Sequence, residues 1–415
     1  MFKIATFTEG NWENAPISQT IRSTLDKNLG LLEVTDIDDI PRGEKYAIYI
    51  HQRLDFMECK PVYAWSFHRM ELNRGNNYRE PKKKFPMPPR VWEDSKSGLV
   101  HWIIDDSTEA NVDDVLYFDK LLAGLNCKRH PQNLTFMTGG ETRPQYSNTK
   151  YIEEIKKQYG INIINHNELY VRCDSSFDDI HRYFLKQKVS KIINFEKHQF
   201  KSVCYNRRKR PQRFVTIAHM MYKNYTDDSI YSFGDGETRS LARDYLERYP
   251  HLTDYFKLLE TEKFINAAGE RDLDLTINQA GSLNLQHALH SVLHITTETA
   301  QTPHTIITEK SYKPFLMMQP FITIGNQYNI ARLREMGFRV YDKWIDHSYD
   351  EIHDPKDRLD AFLSELDRLH TKTHEEWASI LFDMRGDLLY NYQKVYSFET
   401  PYPDELFKIL MDFFR

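Results

Sequence analysis

Thr308, Glu309 and Lys310 place a hydroxyl, a carboxylate and an ammonium at three consecutive positions, directly ahead of an apolar helical face of Tyr312, Phe315 and Leu316. The residues before and after them explain why this spacing could do chemistry. A β-branched run at 292–297 ends in Glu298, Ile306 and Ile307 lead into the polar triplet, Pro320 stops the helical pattern and 321–324 reads as another strand. Strand, polar loop, helix and strand is how an α/β sheet presents a nucleotide site. Ligands sit beyond the carboxyl ends of the strands, where helix N-termini offer N–H groups and a positive dipole end to phosphate. The same triplet also reads as a structural first turn, with Thr308 as cap, Glu309 facing the helix dipole and Lys310 in solvent.

Two other groupings carry charge at strand ends. Arg207, Arg208 and Arg213 follow a strand-like segment at 202–206, and guanidinium forks match phosphate oxygens well. The segment HWIIDDSTE at 101–109 is a strand that runs into Asp105, Asp106 and Glu109, where a general base for a hydroxyl would sit. Both have plainer readings, as a basic surface turn and as caps of a following helix through Ser107 or Thr108.

Thr297-Glu298-Thr299, the run Ile306 to Lys310 and Pro320-Phe321-Ile322 together resemble the donor-site signature of fucosyltransferase-like glycosyltransferases of the GT-B architecture. The likeness spans roughly residues 200–395 and continues through 329–341, 348–352, Arg358 and Asn391. It implies two Rossmann-like α/β domains facing a central cleft, with a C-terminal helix crossing back to the first. It further implies that Glu309 binds the ribose hydroxyls of a sugar nucleotide and Lys310 neutralises the departing diphosphate. Glu298 matches the earlier acidic position, although Thr297 stands where an aromatic usually precedes it. The run from Asn206 to Arg213 resembles the opening of the donor domain in the group, where an arginine grips the diphosphate; Thr308 joins Arg207, Arg208 and Arg213 on the donor side. The implied reaction is inverting and has no obligatory metal, with a UDP- or GDP-sugar as co-substrate. Its catalytic carboxylates would come from Asp106, Glu109 and Glu298, and its acceptor would be a glycan or a hydroxymethylated base in DNA, as in some bacteriophages.

A chain of 415 residues exceeds what one core comfortably holds, so two domains are expected: 1–195 on the acceptor side, 196–395 for the sugar nucleotide and a helical segment 396–415 on the first domain. Strands are predicted at 2–7, 46–50, 100–104, 134–138 and 161–164, with a crossover helix at 149–159 and a long mobile loop at 69–94. Leu359, Phe362, Leu363, Leu366 and Leu369 form one core stripe, and Trp377, Leu381, Met384 and Leu388 another.

No run reaches the roughly 18 apolar residues of a membrane span, and the opening MFKIATFTEG lacks a signal core, so a cytoplasmic location is expected, the host cytoplasm for a viral protein. Cys59, Cys127, Cys173 and Cys204 contain no CxxC pair and read as reduced packing residues. The net charge of −5 excludes a globally basic nucleic-acid binder, but Lys82, Lys83 and Lys84 and the stretch 186–213 are locally basic. That leaves a nucleic-acid-binding module as the alternative function, beside a GT-B-like interaction protein without chemistry. Asp272 and Asp274 make an isolated Asp-x-Asp, and His287, His290 and His294 share a helical spacing, yet neither has the partners that a metal site needs. The glycine pair Gly139-Gly140 reads as a tight turn at a strand end.

Overall fold

A computed structural model describes residues 3–5, 32–34, 37–51, 88–106, 115–140, 149–165, 198–206, 210–234, 245, 247–261, 264–266, 285–298, 305–397 and 404–415. The chain divides into two compact units, Met1–Val171 together with Thr400–Arg415, and Arg172–Glu399. The expected junction at 195/196, the lysine triplet at 82–84 and the Asp-x-Asp at 272–274 lie outside the described residues.

Among the described residues the first unit has six parallel strands, β1 (Lys3–Ala5), β2 (Leu32–Val34), β3 (Tyr46–His51), β4 (Val100–Asp106), β5 (Leu134–Thr138) and β6 (Asn162–Asn165), in the order β2-β1-β3-β4-β5-β6. Side chains alternate across a strand, and here both faces are apolar, so both must be covered. Tyr46, Ile48, Trp102, Ile104, Leu134 and Phe136 face one layer with helices α1 (Pro89–Lys96), α2 (Val115–Gly124) and α3 (Thr149–Tyr159). The intervening Ala47, Ile103 and Met137, with Ile164 of β6, pack against Leu406 and Leu410 of the last helix, α11 (Asp404–Phe414). The chain thus returns to its first unit at its end, as the resemblance implied.

Residues 89–94, expected inside a loop, instead begin α1. Pro89 occupies the first turn, where its missing N–H costs nothing, and Val91 and Ser95 are buried. Trp92 stacks on Trp102 with ring centroids 5.7 Å apart, while the Trp102 indole N–H donates to Ser95 Oγ at 2.8 Å. The proline-rich composition concealed a helix start.

The second unit holds β7 (Phe200–Asn206), β8 (Ser229–Phe233), β9 (Phe264–Asn266), β10 (Ser291–Thr297) and β11 (Phe321–Ile324), ordered β11-β10-β7-β8-β9, with β9 antiparallel to β8. Its helices are α4 (Pro211–Tyr222), α5 (Thr253–Thr261), α6 (Leu285–His290), α7 (Glu309–Leu316), α8 (Asn329–Glu335), α9 (Pro355–His370) and α10 (His374–Ser397). This is the Rossmann-like order in which the chain builds outward from the first strand, then jumps back to its other side. The jump makes β7 and β10 neighbours, and their carboxyl ends form the switch point at which such sheets bind ligands. Both predicted leucine-rich stripes are buried, on α9 and α10. Asp354 caps α9 by accepting from the N–H groups of Lys356 and Asp357 at 2.8 and 2.9 Å, and Pro355 opens it. Cys127 and Cys204 are buried free thiols, as expected of packing residues.

Burial holds several histidines neutral. It lowers His101 to about 3 and His294 and His370 to about 4; His198, also at about 4, is further depressed by His374 and His290. An unfolded chain takes up these protons below the ordinary histidine value while the folded chain does not, so stability is present above about pH 6.5 and declines as pH falls. Asp350, which burial pushes up to about 6, works in the opposite direction but is outnumbered. The urea midpoint is therefore expected to drop steadily from pH 6.5 to 4.5, each histidine contributing about 1.4 kcal/mol per pH unit; a flat profile would contradict this. Leu406→Ala or Leu410→Ala is expected to destabilise the first unit by about 2–5 kcal/mol, seen as earlier loss of its protected amides in hydrogen exchange with those of the second unit unchanged.

Candidate functional site

The site is organised by the end of β10. Thr297 and Glu298 point to opposite sides of the sheet, as strand alternation requires. The Thr297 hydroxyl donates to Asn206 Oδ1 at 2.5 Å, tying the ends of β10 and β7 together across the switch point. Glu298 extends the ladder, its N–H donating to Ile324 O at 2.9 Å, and turns its carboxylate beneath α7. There Oε1 accepts from the Thr308 N–H at 3.2 Å and the Ser311 hydroxyl at 2.7 Å, and Oε2 from the Thr308 hydroxyl at 2.6 Å. The expectation of a directly acting carboxylate at Glu298 meets a residue with 0% exposure.

Thr308 has extended backbone angles and caps α7, its Oγ1 accepting from the Lys310 N–H at 3.3 Å. The N–H of Ser311 donates to Thr308 O at 3.1 Å. The N–H groups of Thr308, Lys310 and Ser311 are thus engaged within the chain. Three of the N–H groups that the sequence reading offered to phosphate are taken by the chain itself, and the first turn also carries an oriented dipole and the Lys310 ammonium. That ammonium donates to Glu309 Oε1 at 2.6 Å and to Thr308 Oγ1 at 3.4 Å. The Lys310 side chain is 27% exposed and that of Glu309 10%, so the pair is rooted in the protein with its tip in solvent. Burial alone would raise the Glu309 carboxyl, but Lys310 beside it, with Lys313, holds it below the usual range.

From the other side, the first turn of α4 grips the same strand end. Gln212 Nε2 donates to Glu298 O at 2.8 Å and the Arg213 guanidinium to Thr297 O at 3.1 Å. Arg213 is 3% exposed; burial lowers it to about 10, against the fields of Glu298 and Glu309, which raise it. The structure therefore gathers Arg213, Glu298, Thr308, Glu309 and Lys310 around one strand end. Gln212 is a site residue the sequence reading passed over; its only signal was a polar side chain in a proline-opened first turn after a strand. Arg207, Arg208 and Glu109 lie outside the described residues. Asp106 ends β4 in the first unit, in register with Thr138.

The turn after β11 completes the surroundings. A Cβ at Gly325 would lie 2.9 Å from Glu298 Cβ and 2.6 Å from Asn329 Nδ2, so glycine is the residue that lets the two strand ends converge. Arg358 donates to Gly325 O at 3.2 Å, the Thr305 hydroxyl donates to Gln327 O at 2.6 Å, and Asp350 accepts from the Ala331 N–H at 2.9 Å. Asn391 brackets Arg339, accepting its N–H at 2.8 Å and donating to its carbonyl at 2.6 Å. These downstream residues act as scaffold. The three histidines separate: His287 and His290 end α6, His294 lies in β10 bonded to Gln319 at 3.2 Å, and His287 pairs with the Tyr205 hydroxyl. A cavity of about 460 Å³ elsewhere in this unit is lined by Arg334, Trp344, Asp346, His347, Asp350 and Arg368 among others, and none of the five gathered residues reaches it. Its arginines are ion-paired, Arg334 with Asp342 and Arg368 with Glu365.

No protein-family model and no curated protein matches the chain. Among solved structures, a similar one is the DNA modifying enzyme beta-glucosyltransferase, determined in the presence and absence of uridine diphosphoglucose. The two share 10% identity at a TM-score of 0.37, over 99% of this chain and 100% of that one.

Proposed function

We propose that this protein is a glycosyltransferase that moves a sugar from a nucleoside-diphosphate sugar to an acceptor hydroxyl. The observation that carries the reading is the Glu309–Lys310 pair, seated at the head of α7 beside the β7–β10 switch point with only its tip exposed. A carboxylate is an acceptor of the kind that vicinal ribose hydroxyls require, and an ammonium one residue on suits the adjoining diphosphate. In the reaction the bond between the anomeric carbon and the phosphate oxygen breaks and the acceptor oxygen bonds to that carbon. The electron pair leaves with the nucleoside diphosphate, and a base takes the hydroxyl proton.

Lys310 would counter the charge that develops on the leaving phosphate, with Arg207 and Arg208, which follow β7 in the sequence, as further candidate cations. Arg213 supports this from within, holding the strand whose extension carries the site. Asp106 and Glu109 are the candidates for the base. A UDP- or GDP-sugar is the donor class, transfer proceeds with inversion, and the acceptor is a glycan or a hydroxymethylated DNA base, the latter consistent with the basic runs at 82–84 and 186–213.

Stabilisation by UDP or GDP in a thermal-shift panel, and slow hydrolysis of the matching sugar nucleotide without acceptor, are the expected results. Lys310→Ala should lower turnover by about a hundredfold or more. Glu309→Ala should act mainly on binding, raising the nucleotide Kd about tenfold. Full turnover retained in both variants would remove the assignment.

A further inference from the structure

We propose that Glu298 is a positioning residue, which fixes the direction of the Thr308 hydroxyl and through it the placement of the Lys310 ammonium; the inference rests on reading Glu309 and Lys310 as the nucleotide-binding pair. A carboxylate can only accept hydrogen bonds. At 2.6 Å from Oε2, the Thr308 hydroxyl must therefore spend its single proton on Glu298. That leaves its lone pairs for Lys310, whose backbone N–H lies 3.3 Å away and whose Nζ lies 3.4 Å away. One buried acceptor thus dictates both the cap of α7 and one of the two contacts that locate the ammonium. With 0% exposure Glu298 acts through Thr308 and touches no ligand itself.

The surroundings fit a device tuned for direction as well as for packing. Oε1 is held separately by the Thr308 N–H and the Ser311 hydroxyl, so the carboxylate cannot rotate away from Thr308 without breaking both. The missing Cβ of Gly325 leaves the Glu298 stem its room, since a Cβ there would lie 2.9 Å from Glu298 Cβ, and Gln212 fixes the Glu298 backbone carbonyl at 2.8 Å. A glutamine at this position would fill the same space but bring an NH2 group that donates. Thr308 Oγ1 would then accept from it, and the hydroxyl proton would turn towards Lys310, against both of its donors.

The test uses the whole chain and two readouts: the acylation rate of Lys310 by an amine-reactive reagent, followed by mass spectrometry, and the Kd for UDP and GDP. Glu298→Gln is expected to change Lys310 labelling and to weaken binding of the preferred nucleotide, each by about tenfold, while the unfolding midpoint stays close to that of the parent. Thr308→Val should give the same changes and Thr308→Ser should restore them. The Glu298→Gln/Thr308→Val double variant should be no worse than either single one, because the two residues form one relay. Parent-like labelling and affinity in Glu298→Gln, or additive effects in the double variant, would overturn the proposal. Should Glu298→Gln fail to fold, the Thr308→Val and Thr308→Ser pair tests the same relay with the carboxylate in place. A parent protein that binds neither UDP nor GDP, yet shows the labelling change, would sink the nucleotide reading and leave the relay standing.

Discussion

The arrangement around α7 depends on one buried carboxylate. A charge with no exposure is tolerated inside a protein only where hydrogen bonds and opposite charge replace water. Glu298 has three donors from Thr308 and Ser311 and the field of the Arg213 guanidinium. Those contacts fasten the start of a helix to the end of a strand, which is why the loop between them delivers Thr308, Glu309 and Lys310 to a fixed place. An anionic ligand that draws Lys310 from Glu309 would leave that carboxylate in need of a new donor, and ribose hydroxyls are donors of the right kind.

The layers around this centre follow from simple patterns. Strands apolar on both faces require cover on both, and in the first unit α11 supplies one side by setting Leu406 and Leu410 against Ala47, Ile103 and Met137. In the second unit the order β11-β10-β7-β8-β9 places the carboxyl ends of two strands, each followed by polar residues, side by side. The position of the candidate site is thus a property of topology, while its side chains belong to the segments that follow β7 and β10 in the sequence.

Much of this architecture was legible in the sequence. Residues 134–138, 149–159 and 321–324 form the elements their periodicity predicts, and the stripes of α9 and α10 are buried as read. The misreadings share a cause. Residues 89–94 looked like loop because proline dominates the composition, although a proline in the first turn is a normal way to begin a helix. The head of α7 looked like an open phosphate cradle because the sequence shows which N–H groups a helix leaves unpaired but not that Glu298, ten residues before Thr308, will take one.

By itself, then, the sequence determined the α/β class and most strands and helices, because these follow from short-range periodicity and capping, while the candidate trio Thr308, Glu309 and Lys310 came from the resemblance that their motif carries. Only tertiary structure decided that Glu298 and Arg213 face inward and that Gln212 belongs to the site. Those assignments rest on contacts between residues 84 to 91 positions apart, Arg213 with Thr297, Gln212 with Glu298 and Thr297 with Asn206, and strand order alone brings such pairs together.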